Sequence, residues 1–180
     1  MSSLKCISYG ISQINEWIGK TIAWLTLGMV LVTFIIVVMR YVFNEGSIAL
    51  QESVIYMHAI VFMLGAAYTL NHDGHVRVDI FYGKMSARKK ALTNLFGNIF
   101  FLIPVCSFIL WSSWEYVLDA WEIKESSREA GGLPWIYLLK TSIIFMGCLL
   151  IIQAIANILS NFADIFSKHD RQCTPEEGEK

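Results

Sequence analysis

Charge is scarce in this 180-residue chain: Lys, Arg, Asp and Glu make up 16% of it, against 55% hydrophobic residues. A soluble domain carries about 25% charged residues, so these few charges cannot cover the surface of one. The net charge of −1 is dispersed among loops, which leaves no basic face for nucleic acid. Cys6, Cys106, Cys148 and Cys173 lie far apart and form no CxxC pair. Cys106 and Cys148 fall inside apolar runs and are expected to be small buried residues. The start shows no signal-peptide pattern, because no small-residue cleavage site follows a short apolar core. There is no phosphate-binding glycine loop, no serine or cysteine nucleophile beside a base, and no acid pair. Neither catalysis nor a cofactor is therefore expected. A self-sufficient carrier should show ionisable residues at mid-membrane, interrupted helices or an internal repeat; these spans carry almost no charge, are continuous apart from Pro104 and do not echo one another.

What remains is apolar. A hydrocarbon core of about 30 Å needs about 20 residues per crossing, and runs of that size lie at about 21–39, 53–70, 92–111 and 141–160. The expected fold is all-α, an integral membrane domain over 1–166 with four transmembrane helices and flanking interfacial amphipathic helices. A polar, disordered tail is expected over 167–180. Before the first run, Leu4, Ile7, Ile11, Ile14 and Ile18 recur at steps of three and four, opposite Ser8, Ser12, Asn15 and Glu16. Two readings fit: a helix lying along the interface, or a straight extension of the first span. Gly65, Ala66 and Ala67 would let a neighbouring helix approach closely. Pro104, inside the third run, predicts a kink. Past Trp111, Trp114, Leu118 and Trp121 continue one helix face, and Glu115, Asp119 and Glu122 form an acidic one. Gly131-Gly132-Leu133-Pro134 ends that helix, with Pro134 placed to open the first turn of the next.

Four spans put both termini on one side. With the central loop, that side holds Lys5, Lys20, Arg77, Lys84, Arg88, Lys89, Lys90, Lys168, Arg171 and Lys180; the other holds Arg40, Lys124, Arg128 and Lys140. The bias predicts cytoplasmic termini. Arg88, Lys89 and Lys90 sit in the first turn of a helix, where the dipole disfavours cations, so anionic membrane lipid is their expected partner. His72, Asp73, His75, Arg77 and Asp79 form a polar turn at the membrane exit, with Arg77 expected to pair with Asp73 or Asp79. A metal reading lacks a second ligand cluster. His58, the ionisable residue deep in a span, is expected to be interior and hydrogen-bonded to a neighbouring helix. Arg40, Glu52 and Lys140 lie at similar depth, and Glu52 is expected to pair with Arg40 or Lys140.

RYVFN at 40–44, the Gln51–Glu52 pair, LGAAYTLNHDGHVRVDIFY at 64–82, and GGLP at 131–134 followed by Lys140 together resemble the small membrane subunit of tripartite ATP-independent periplasmic (TRAP) transporters. The similarity covers about residues 24–163, and departs where Ala49, Leu50 and Gln51 precede a single Glu52. The resemblance implies a bacterial inner-membrane complex. Its large subunit carries the sodium and substrate sites, and a periplasmic substrate-binding protein delivers an organic acid. The small subunit braces the large one. Arg40, Glu52, His58, Gly74, His75, Arg77, Asp79, Gly131, Gly132, Pro134 and Lys140 become structural or interface candidates. Glu115, Asp119 and Glu122 become a candidate docking face for the binding protein, with simple solvation as the other reading. The rival from another class is a four-helix membrane enzyme or quinone-linked anchor using the His/Arg/Asp loop.

Overall fold

A computed structural model describes residues 2–76 and 82–172. Arg77, Asp79 and residues 173–180 lie outside the described residues, and so does any pairing of Arg77. The described residues form helices: α1 (Ser2–Val42), α2 (Ile48–Asn71), α3 (Ala87–Gly97), α4 (Ile103–Glu122) and α5 (Ile136–Gln172), with a π-helical turn, Asn98–Leu102, joining α3 to α4. Four stretches are long and apolar enough to cross a membrane: Ser8–Val42, Ile48–Asn71, Arg88–Glu122 and Ile136–Phe162. They are longer than the apolar runs because a helix satisfies its own backbone wherever it leaves the hydrocarbon.

Of the two readings for the N-terminal segment, the straight extension is the observed one. With 41 residues, α1 is about 60 Å long, twice the thickness of a hydrocarbon core. The acidic, Trp-rich segment is likewise the continuation of α4. Helix α5 runs on to Gln172, past the start of the expected tail.

α5 packs against α1, α2, α3 and α4. Ala67, Cys106 and Leu150 are buried between these helices, with Leu70, Leu102 and Met146 against them. Glycines set the closest approaches. A Cβ on Gly19 would lie 2.7 Å from Tyr68 Cβ, and one on Gly147 would lie 2.7 Å from Leu110. The small-residue stretch of α2 behaves as expected, with Ala67 only 1% exposed and Gly65 facing Ile22 of α1. Cys148 does not: it is exposed on the outer face of α5, while Cys106 is buried.

The disruption expected at Pro104 takes the form of the π-turn just before it. Ile103 N–H reaches back to the Asn98 carbonyl, five residues away. Proline lacks the next N–H and its ring crowds the carbonyl four residues earlier, so the ladder opens one residue wider there. The Asn98 side chain adds a 2.9 Å bond to the Asn94 carbonyl.

Helices α2 and α4 stop in the same way. After α2, Gly74 N–H returns to the Thr69 carbonyl at 2.9 Å and Asp73 N–H to Leu70 at 3.3 Å, with Asp73 at φ 53°. After α4, Glu125 N–H returns to Ala120 at 2.9 Å and Lys124 N–H to Trp121 at 3.3 Å, with Lys124 at φ 45°. Both are Schellman ends in which a non-glycine residue takes the left-handed position.

Candidate functional site

Polar side chains gather at the two ends of the bundle. At the end carrying the chain termini, the centre is Gln153 of α5, whose side chain is fully buried. Asn15 of α1 donates its amide to Gln153 Oε1 at 2.7 Å. Gln153 Nε2 donates toward Asn71 of α2 at 3.0 Å and Asn157 at 3.1 Å, with Ser12 at 3.3 Å. Ser8 donates to the Ala156 carbonyl at 2.8 Å. The polar face of residues 8–16 therefore points into the bundle, while Ile14 and Trp17 are exposed at 57% and 70%. The helix is inside out by soluble standards: its polar face meets the amides of α2 and α5, and apolar side chains are left outside.

Glu16, next on that face, is bridged by Lys20 at 2.9 Å and by His72 at 2.6 Å. Tyr68 lies against the His72 ring, with centroids 4.5 Å apart. Ser8, Ser12, Glu16, Lys20, Asn71 and His72 line an open cleft of about 560 Å³. Beside it a smaller cavity of about 160 Å³ is lined by Asn71, Asp73, Asn94, Asn98, Asn157 and Asn161, among others. His75 is exposed on the loop beyond α2. Gly74 stands after the left-handed position, its missing Cβ 3.1 Å from Thr69 Cγ2.

At the opposite end, Glu52 departs from expectation. It forms no ion pair with Arg40 or Lys140. Its carboxylate instead accepts from the Ser127 hydroxyl and from Leu133 N–H at 2.6 Å, clasping the α4–α5 loop onto the start of α2. Ser127 N–H donates to the Leu133 carbonyl at 3.0 Å, which closes the loop on itself. Gly132 has no room for a side chain, since its Cβ would collide with Ser127 and lie 2.8 Å from Glu52 Oε1. Gly131 takes φ +83°, which glycine tolerates. Lys140 pairs with Glu125 and lies 3.8 Å above the Tyr116 ring. Trp121 Nε1 donates to Thr141 at 2.8 Å. The carboxylate of Glu52 is thus satisfied by two donors from a loop, which costs less desolvation than a second buried charge. Arg40 is exposed in a cleft with Asn44, Glu45 and Gln51. Pro134 precedes α5 by two residues and does not open its first turn; Leu138 N–H bonds to the Trp135 carbonyl at 3.1 Å.

Glu115, Asp119 and Glu122 are all exposed, forming an acidic ridge on α4. The face of α4 that packs on α5 is Val117 and Ala120, whereas Trp114, Leu118 and Trp121 remain about half exposed. His58 is also not where expected. It is exposed on the outer surface of α2, beside Phe62 at 6.4 Å between centroids, and makes no hydrogen bond among the described residues. Sequence reasoning placed Asn15 on a polar face without a partner and missed Asn71, Asn98 and Gln153. Their signal was present, since an amide inside an apolar helix demands a partner across the interface.

The family model for the DctQ component of tripartite ATP-independent periplasmic transporters matches residues 29–164, from the middle of α1 through most of α5. The chain belongs to that family. A related protein, the C4-dicarboxylate TRAP transporter small permease protein DctQ of Vibrio cholerae serotype O1 (strain ATCC 39315 / El Tor Inaba N16961), is 30% identical over 95 residues. That alignment covers 53% of this chain and 40% of the length of the Vibrio protein. No solved structure matches. This DctQ-family chain is a multi-pass membrane component of a transport system, and its polar clasps sit at both ends of the spans.

Proposed function

We propose that this chain is the small subunit of a bacterial inner-membrane TRAP transporter and that it braces the large permease subunit. The large subunit carries out sodium-coupled uptake of an organic acid, delivered by a periplasmic binding protein; the small one does no chemistry. The family match over 29–164 carries the reading. It is supported by the character of the buried polar groups among the described residues: Ser8, Asn15, Asn98, Ser142 and Gln153, all neutral. Neutral amides hold helices together but do not relay ions. The name of the Vibrio relative supports a carboxylate as the transported class.

Both termini are cytoplasmic, by the distribution of Lys and Arg. The Glu52 clasp and the acidic ridge then face the periplasm. The experiment is co-expression of this chain with the large permease subunit and the periplasmic binding protein of its system. The two membrane proteins should co-purify, and uptake should vanish without this chain while the binding protein still binds substrate. Uptake undiminished by its deletion would overturn the reading. Orientation is tested with a membrane-impermeant thiol reagent in intact cells, after replacing Cys6 and Cys148. A cysteine at Ser126 should be labelled and one at Ser86 protected.

A further inference from the structure

The outer face of α2 carries a group that lipid cannot satisfy. His58 lies six residues beyond Glu52, which stands at the hydrocarbon edge, or about 9 Å along the axis of α2. The imidazole, on a single methylene, is too short to snorkel to water from that depth. Its ring has no hydrogen-bond partner among the described residues. Two outward hydroxyls of α1 behave differently: Thr21 donates to the Trp17 carbonyl at 2.8 Å and Thr26 to Ala23 at 2.6 Å. A histidine has no such local escape, because its ring nitrogens lie beyond reach of its own helix backbone.

Gln51, Ile55, His58 and Phe62 follow one another at steps of four, three and four, and all are exposed. They form one stripe down α2, with Ile55 59% and Phe62 69% exposed. The polar member of this stripe is the informative one, because a histidine inside a span finds its hydrogen-bond partner on a neighbouring helix.

We propose that this stripe is covered in the membrane by the large permease subunit, and that a polar group of that subunit takes a hydrogen bond from the His58 ring. The inference rests on the small-subunit reading given above and adds to it the helix and the anchoring residue. The occupant is the large subunit rather than lipid because acyl chains offer the imidazole neither donor nor acceptor.

The test places a photo-crosslinking amino acid at positions 55, 58 and 62 of α2 and at the equally outward positions 34, 108 and 152. The chain is co-expressed with the large subunit in cells. Adducts with the large subunit should form from the α2 positions. In parallel, His58→Leu should lower the large subunit retained through detergent purification several-fold, and His58→Gln, which keeps a donor, should recover most of it. The inference is overturned if adducts with the large subunit arise only from positions 34, 108 or 152. Adducts from α2 only to a second copy of this chain or only to lipid would overturn it as well, and so would His58→Leu retaining the large subunit as the unaltered chain does. These outcomes differ from failure of the unaltered chain to co-purify with the large subunit, which would sink the small-subunit reading itself.

Discussion

Glu52 shows how one carboxylate can hold a loop through hydrogen bonds, without an ion pair to Arg40 or Lys140. Its acceptance of bonds from Ser127 and Leu133 N–H gives the α4–α5 loop a single conformation over the start of α2. Glu52→Ala strands both donors and should cost about 1–3 kcal/mol, read as a lower midpoint of thermal unfolding in detergent. Gly132→Ala should cost a similar about 1–3 kcal/mol by overpacking, since its Cβ would drive against Ser127 and Glu52. Gln153 offers a second residue-scale test. Interhelical hydrogen bonds in membranes are worth about 0.6 kcal/mol on average, so Gln153→Leu should destabilise by about 1–2 kcal/mol and leave Asn15 buried and unpaired. Combining Asn15→Leu with Gln153→Leu should recover part of that loss; a strictly additive pair would refute the coupling. Gly131, Gly132 and Glu52 were legible in the sequence as candidates, because special backbone positions and lone charges at a hydrocarbon edge stand out. The partner of Glu52 was not legible, since loop donors such as Leu133 N–H carry no side-chain signature.

At the scale of the element, the joint between α3 and α4 is the informative one. A π-turn is one residue inserted into an α-helix, and Pro104 holds it open. Deleting the exposed Phe100 would close the turn to α-helix but press the proline ring onto a carbonyl, at about 3 kcal/mol. The deletion alone should therefore reduce folded protein sharply, while the deletion with Pro104→Ala should restore it. Folded yield by size-exclusion chromatography in detergent decides between these outcomes. Proline pointed to the right place in the sequence. Whether the strain would appear as a bend or as an extra residue depended on where α5 needed Asn98 and Cys106, both of which it buries. The period of residues 8–16 was legible in the sequence, but not which of the two faces turns inward. Periodicity reports that two faces differ, and the solvent decides which one turns inward.

For the whole molecule, the acidic ridge of Glu115, Asp119 and Glu122 is a run of exposed acids along one helix, on the half of the protein opposite the termini. If it receives the loaded binding protein, reversing all three to Lys should weaken docking about tenfold at low ionic strength, with the difference shrinking as salt screens it. Surface-plasmon measurements with the complex in nanodiscs would read this directly. Unchanged docking and uptake would reduce the ridge to a solvated edge.

The sequence by itself determined that the chain is helical and apolar enough to cross a membrane, that it holds four such stretches, and the family it belongs to. Each follows from the length of apolar runs or from local motifs such as LGAAYTLNHDGHVRVD, which need no partner to be read. The tertiary structure decided which side of each helix is inside. It joined Asn15 to Gln153 across 138 residues of chain, gave Glu52 to a loop instead of a cation, and turned His58 outward. The physical reason is that in lipid both the inside and the outside of a bundle are apolar. Hydrophobicity then fixes the spans but not their rotation, and polar pairing between helices distant in sequence sets the rest.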